Sequence, residues 1–338
     1  GIRDRTVTGV QTCAFRSRQV YLNPAPQGVG FENTFNLPGG RGDGVNVIDV
    51  EGGWDFDHED LIQHGGKVLV GINEANTGWK NHGSAVLGEI AGVYNNFGVT
   101  GIAANTKING ASIYVSPGRQ GNVAETIMKA SQFLKAGDIM LIELHRVGHR
   151  GKFLPMEYWP DNFLALKATV EKGIHVVEAG GNGNENLSDP FYNTPPPGFP
   201  KDFKNPFNRS AADSGCIVVG AGAPPPNTHG RDWGPDRSRL DFSNYGSMVD
   251  TQGYGREVTT LSYGDLQRGV RQKMYTDVFS GTSSASPIVV GVVSALKGVA
   301  KNRNIQISPS LMREFLRKSG SPQTPAPGRP VTQHIGNR

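Results

Sequence analysis

Asp49, His82 and Ser283 are the residues of this 338-residue chain whose types and settings could do chemistry together. A serine hydroxyl is a weak nucleophile. It needs a base beside it, and the base needs a third group to fix its tautomer and stabilise its positive charge. Asp49 ends the apolar run Val45-Asn46-Val47-Ile48-Asp49. His82 lies in Asn81-His82-Gly83-Ser84-Ala85-Val86, and Ser283 in Gly281-Thr282-Ser283-Ser284-Ala285-Ser286-Pro287. An acid, a base and a hydroxyl in that order predict a serine hydrolase. The segment around Ser283 is no Gly-x-Ser-x-Gly elbow, and the order Ser, Asp, His is absent, which disfavours a lipase or esterase.

Positioning three such side chains takes a rigid frame. Continuous Val/Ile-rich runs at 45–50, 68–72, 108–115, 139–144, 174–179 and 217–221 suit strands of a parallel sheet buried on both faces. Helical patterns lie between them, at 84–91 after His82, at 123–135 and at 163–172. Strands alternating with helices predict a doubly wound α/β domain, with chemistry at the strand ends. Ser283 opens a further apolar segment running to Ala300. A helix there would put the nucleophile at its N-terminus, where free amides and the dipole favour developing negative charge. A last helix is signalled by Ser308 as cap, Pro309 at its first position and Gly320 at its end.

Composition narrows the function. Hydrophobic residues make up 36% and are spread along the chain, so a sizeable core is expected and global disorder is not. The net charge of +4 comes without a Lys/Arg run, which argues against nucleic-acid binding. No apolar run approaches the ~18 residues that span a bilayer, so no membrane partner is expected. The start at Gly1 fits a processed mature form. Of the two cysteines, Cys216 opens a buried-looking run, and a bond to Cys13 is open on sequence alone. The loops 182–210 and 222–241 are Pro-, Asn- and Gly-rich, and long loops often carry function.

At these residues the chain resembles the subtilisin-like serine proteases, or subtilases, from about Gly44 to Gly320. His58-Glu59-Asp60-Leu61 resembles the His-x-Asp-Leu that follows the family's aspartate. The His segment resembles His-Gly-Thr-x-Val-Ala-Gly, with Ser84 for Thr and Leu87 for Ala. The Ser segment matches Gly-Thr-Ser-x-Ala-x-Pro unchanged. The resemblance implies a mostly parallel central sheet with helices on both faces. It divides the chain into an N-terminal extension (1–43), a catalytic domain (44–320) and a Pro/Gly-rich tail or linker (321–338). It implies a secreted endopeptidase acting through Asp49, His82 and Ser283, made with an inhibitory propeptide; a monomer is the default. Asn182, in Ala179-Gly180-Gly181-Asn182-Gly183, would donate to the oxyanion beside the Ser283 amide, although an Asn among glycines read alone is a turn residue. Peptide would be bound by Tyr114 and Gly118 on one side and Glu143, Leu144 and His145 on the other, with Ala179, Gly180 and Gly181 lining the pocket before the scissile bond.

The chain departs from the family in two places. Val50-Glu51-Gly52-Gly53-Trp54 replaces the usual residues after the aspartate, and two residues are inserted before His58. Glu143-Leu144-His145 replaces Ser-Leu-Gly or Ser-Trp-Gly. Glu143 then either recognises a basic substrate group, raises the His82 pKa as a nearby anion, or turns away into a local network. The altered segment and long loops keep open a substrate-restricted processing or peptide-joining relative. A catalytically silent binding relative is disfavoured, because triad and oxyanion residues are all present. The resemblance also implies a calcium site, from Asp60, Asn95 and the carbonyls of Val93, Phe97 and Val99, whose all-oxygen set suits Ca²⁺; the alternative is an Asn-rich turn closed without metal. His145, Arg146 and His149 read as a solvated loop. The sequons at Asn186 and Asn208 and the Arg41-Gly42-Asp43 triplet are short enough to arise by chance.

Overall fold

The computed structural model describes residues 15–338; Cys13 lies outside them. In chain order the strands are β1 (Asn46–Glu51), β2 (Val68–Val70), β3 (Lys107–Ser112), β4 (Tyr114–Ser116), β5 (Arg119–Gln120), β6 (Ile139–Ile142) and β7 (His145–Val147). They continue with β8 (Phe153–Pro155), β9 (His175–Ala179), β10 (Ile217–Gly222), β11 (Thr251–Tyr254), β12 (Val258–Leu261) and β13 (Tyr275–Phe279). Seven of them form one sheet in the order β11-β10-β9-β6-β1-β3-β2. Every pairing within it is parallel, with Asp49 opposite Leu141 of β6 and Gly110 of β3. Hairpins β4–β5, β7–β8 and β12–β13 stand apart from it.

The helices are α1 (Phe31–Phe35), α2 (Thr77–Ala91), α3 (Val123–Ala130), α4 (Pro160–Glu171), α5 (Thr282–Asn302) and α6 (Pro309–Lys318). They cover both faces, as continuous apolar strands require. Strand alternation sorts the side chains into two cores. Val47, Ile139, Leu141, Val177, Ile217 and Val219 join the core shared with α2, α5 and α6. Ile48, Val50, Met140, Ile142, Val176 and Val218 join the core shared with α3 and α4. The α/β reading holds.

Element boundaries differ from the sequence reading where polar residues carry structure. Helix α2 starts at Thr77, capped by Asn76, whose side chain accepts from the amides of Gly78 and Trp79, so His82 lies inside the helix rather than before it. The apolar run at 108–115 breaks at Ile113 into β3 and β4. The 182–210 loop is held by aromatic packing: Tyr192, Phe199, Phe203 and Phe207 all meet the buried Tyr158. The tail is also packed. Ile335 is buried, and Asn337 forms a parallel bridge to Thr251. Helix α5 is long and apolar enough to cross a membrane, contrary to the sequence reading, but most of it is buried inside the fold.

Candidate active site

Because Val47 faces the α2/α5 layer, Asp49 and Glu51 two and four residues on face it too. Both are fully buried. His82, in the second turn of α2, places Nδ1 2.7 Å from Glu51 Oε2. Asp49 does not reach the imidazole. Its Oδ2 accepts the Trp54 indole N–H at 2.7 Å. The carboxyl expected beside the imidazole at Asp49 is thus found at Glu51 instead. Counting from Glu51 also removes the two-residue insertion before His58, a spacing signal that was present in the sequence.

Ser283 is the second residue of α5, behind Gly281 as N-cap. Gly281 has φ +109°, a conformation that suits glycine, and a Cβ there would come within 3.1 Å of Asn182 Nδ2. Asn182 Oδ1 accepts from the Thr282 amide at 2.9 Å and from its hydroxyl at 3.0 Å. The same hydroxyl accepts from the Gly181 amide at 3.1 Å. Thr282 thus ties the glycine loop to the head of α5, and the Asn182 Nδ2 group is left to donate. Ser283 and His82 line one cleft. Among the described residues no hydrogen bond joins them, as is common before substrate binds.

Glu143 follows the end of β6 in the phase of Ile139 and Leu141, so it too faces α5. It is buried and accepts hydrogen bonds from the Ser286 and Ser283 hydroxyls. Asp49, Glu51, Glu89 and Glu143 form a carboxyl cluster in which burial pushes every pKa well above the carboxylate range, with mutual repulsion adding to it. Glu143 is therefore held towards its neutral form inside a hydroxyl network rather than offered as an anion to a basic substrate group. Nor is His82 raised. Burial lowers it to about 4, with Asp49 opposing, so the imidazole is neutral and able to accept a proton at physiological pH.

The cleft over Ser283 measures about 480 Å³ and is lined by His82, Glu143, Leu144, His145, Ala179 and Asn182 among others. Five of its lining residues escaped the sequence reading: Asn76, Gly78, Trp79, Tyr263 and Ser280. Trp79 packs edge-on to His82, and its indole N–H donates to the Tyr114 hydroxyl at 2.8 Å. Tyr114 is thereby placed behind Trp79, and Leu144 and His145 line an adjoining cleft of about 380 Å³ with Ile113, Gln120 and Met156. Gly118 sits at the turn of the β4–β5 hairpin with φ +69°, its amide donating to Glu74. Gly180 and Gly181 form the far wall's backbone rather than lining the cleft: the Gly180 amide bonds Val219, and a Cβ on Gly181 would come within 3.2 Å of the Phe153 carbonyl. The β7–β8 hairpin thus lies flush against that wall. Its His145 ring stacks on Phe153 at 4.1 Å, and His145 Nδ1 accepts the Asn182 amide at 3.4 Å.

The residues expected to hold calcium do come together, but as a hydrogen-bonded turn. Asp60 Oδ1 accepts from the Asn95 amide at 3.1 Å. Its Oδ2 accepts from the Val99 N–H and the Tyr275 hydroxyl. Asn95 Oδ1 accepts from the Phe97 N–H, and Val93 presents its N–H, not its carbonyl, to the Asp60 backbone. The Arg16 guanidinium donates to the Asn95 carbonyl at 2.8 Å, placing a cation at the loop already. With both carboxylate oxygens occupied by donors, this set does not fit a calcium ion.

A parallel sheet with a serine heading a long buried helix and a Glu–His pair facing it places the protein among subtilisin-like α/β folds. Comparison with known proteins agrees. The subtilase family model matches residues 55–332, and the chain belongs to the subtilase family. The match begins beyond both Asp49 and Glu51, so the choice between them rests on the geometry. Among relatives, subtilisin-like protease 6 of Trichophyton soudanense is 25% identical over 307 residues, covering 88% of this chain and 61% of that protein. Alkaline elastase YaB of Bacillus sp. (strain YaB) is 27% identical over 295 residues, covering 87% and 62%. The chain spans about three-fifths of the length of these relatives. A prenylagaramide maturation protease has the same fold, with TM-score 0.62 and 17% identity over 91% of this chain and 94% of that one.

Proposed function

We propose that the protein is a serine endopeptidase in which Ser283 is the nucleophile, His82 the general base and Glu51 the acid that orients it. The observation that carries this reading is the Glu51–His82 contact at 2.7 Å on the face where Ser283 heads α5. In the reaction, Ser283 Oγ attacks the peptide carbonyl as its proton passes to His82 Nε2. Glu51 holds the Nδ1–H and stabilises the imidazolium. The Asn182 side chain and the Ser283 amide take the oxyanion. His82 then protonates the leaving amine, and water releases the acyl group by the same path. His145 and Phe153 lie beside the pocket before the scissile bond, which favours a restricted substrate range. The fold shared with a maturation protease is in keeping with that reading. We read the enzyme as exported and made with an inhibitory propeptide, as the family resemblance implies.

Intact mass after exposure to a fluorophosphonate tests the core of the proposal. One adduct on the wild type and none on Ser283→Ala is the expected result. A folded wild type that takes no adduct would move a silent binding relative to the front.

A further inference from the structure

We infer that Asp49 is a positioning residue, a neutral carboxylic acid whose O–H donates to Glu51 and holds its carboxylate against His82. The inference rests on the triad reading above and extends it. Each of the two carboxyls spends one oxygen on a named donor: Asp49 Oδ2 on the Trp54 indole and Glu51 Oε2 on His82. The other two, Asp49 Oδ1 and Glu51 Oε1, are buried without any N–H or hydroxyl to serve them. The two carboxyls are themselves within hydrogen-bonding reach of each other.

Two ionised carboxylates cannot occupy that arrangement in a dry interior, because the repulsion is unscreened and neither has a proton to give. One proton between them resolves both orphaned oxygens at once. No Lys or Arg among the described residues pairs with either group to offset a second charge. The charged or titratable groups that face the pair are His82 from α2, Glu143 from the end of β6, and Tyr263 from the loop after β12. All but His82 disfavour a further negative charge. The proton resides on Asp49. Burial raises both groups, but the bond between them raises Asp49 further and opposes the rise of Glu51, and it is Glu51 Oε2 that meets the imidazole at 2.7 Å, so Glu51 is the member left ionised. Trp54 completes the device by fixing the Asp49 oxygen that does not carry the proton.

Three variants separate this from the alternatives. Asp49→Asn keeps a donor towards Glu51 and an acceptor for Trp54, and it should rescue kcat to within about threefold of wild type. Asp49→Leu leaves Glu51 Oε1 without a donor, and kcat should fall about 10–100-fold with KM little changed. Glu51→Gln removes the ion that fixes the His82 tautomer, and kcat should fall about 10⁴-fold. If Asp49→Asn falls as far as Glu51→Gln, or if Asp49→Leu matches wild type, the proposal is overturned. Fluorophosphonate labelling of wild-type Ser283 reports separately on the triad reading. Should labelling fail, infrared difference spectra of the folded proteins still decide: wild type minus Asp49→Asn must show the C=O stretch of one protonated carboxyl that wild type minus Glu51→Gln does not show, and its absence from the first difference would refute the assignment.

Discussion

In the proposed mechanism Asn182 acts through its side-chain N–H group. Thr282 takes its carbonyl oxygen twice, which turns the amide nitrogen into the available donor beside Gly281. Asn182→Ala should therefore lower kcat about 10²–10³-fold, or ~3–4 kcal/mol of transition-state stabilisation, with little change in KM; steady-state kinetics on a peptide substrate checks this. The same scale shows what the sequence could and could not disclose. That His82, Ser283 and Asn182 come to one cleft was legible because each sits in a short segment with a distinctive pattern. Which carboxyl meets the imidazole was not legible, because Asp49 and Glu51 share one strand face and residue type alone does not say which of them reaches a side chain on another element. The spacing to His58 favours Glu51, whereas the apolar run favours Asp49. The direction of Glu143 depends on which face of β6 it continues, and that requires the phase of the whole strand.

Helix α2 carries both His82 and a cost. Glu89, two turns further along, is fully buried, and neither of its carboxylate oxygens has a partner. Burial raises its pKa well above the usual range, with Glu143 adding to the effect. A raised carboxyl pKa means that the folded state binds more protons than the unfolded state once pH exceeds the unfolded value of ~4.3. The stability it contributes is full below that pH and is lost as pH rises through the folded pKa. Glu89→Gln removes this dependence. Thermal melts of the pair should nearly coincide near about pH 4 and separate in favour of the variant as pH rises to about 9. A constant difference across that range would show that Glu89 is not the group responsible. Elements were legible where apolar periodicity is strong, as in β1, β6, β9 and β10. They were missed where it is not. Strand β11 reads Thr-Gln-Gly-Tyr and owes its place to pairing with β10 rather than to its own composition. The first turn of α2, Thr77-Gly78-Trp79-Lys80, lacks an apolar stripe, and only the Asn76 cap announces it.

At the scale of the molecule, the N-terminal segment does structural work that the sequence did not reveal. Arg16 reaches the 93–99 loop, Gln19 bonds both ways with Thr100, and Arg18 pairs with Asp277. With the loop closed by these donors and by those on Asp60, EDTA or added calcium should shift the melting temperature by less than about 1 °C. A resident ion at a hundredfold excess over its Kd would contribute about 2.7 kcal/mol, a shift of several degrees and easily seen by differential scanning fluorimetry. The other end of the described chain has a comparable part. Residues 335–337 run along β11, where Asn337 accepts from the Gln252 amide at 2.9 Å and the Thr251 hydroxyl at 2.7 Å, and the Gln252 side chain reaches the Gly336 carbonyl. This segment occupies the outward hydrogen-bonding row of an otherwise open sheet margin. An uncovered row of that kind is a template for recruiting another chain. Preparations in which the last few residues have been trimmed, including by the enzyme's own action, would therefore be sticky before they are unfolded, and loss of soluble material on storage would trace to self-association rather than to damage at the cleft.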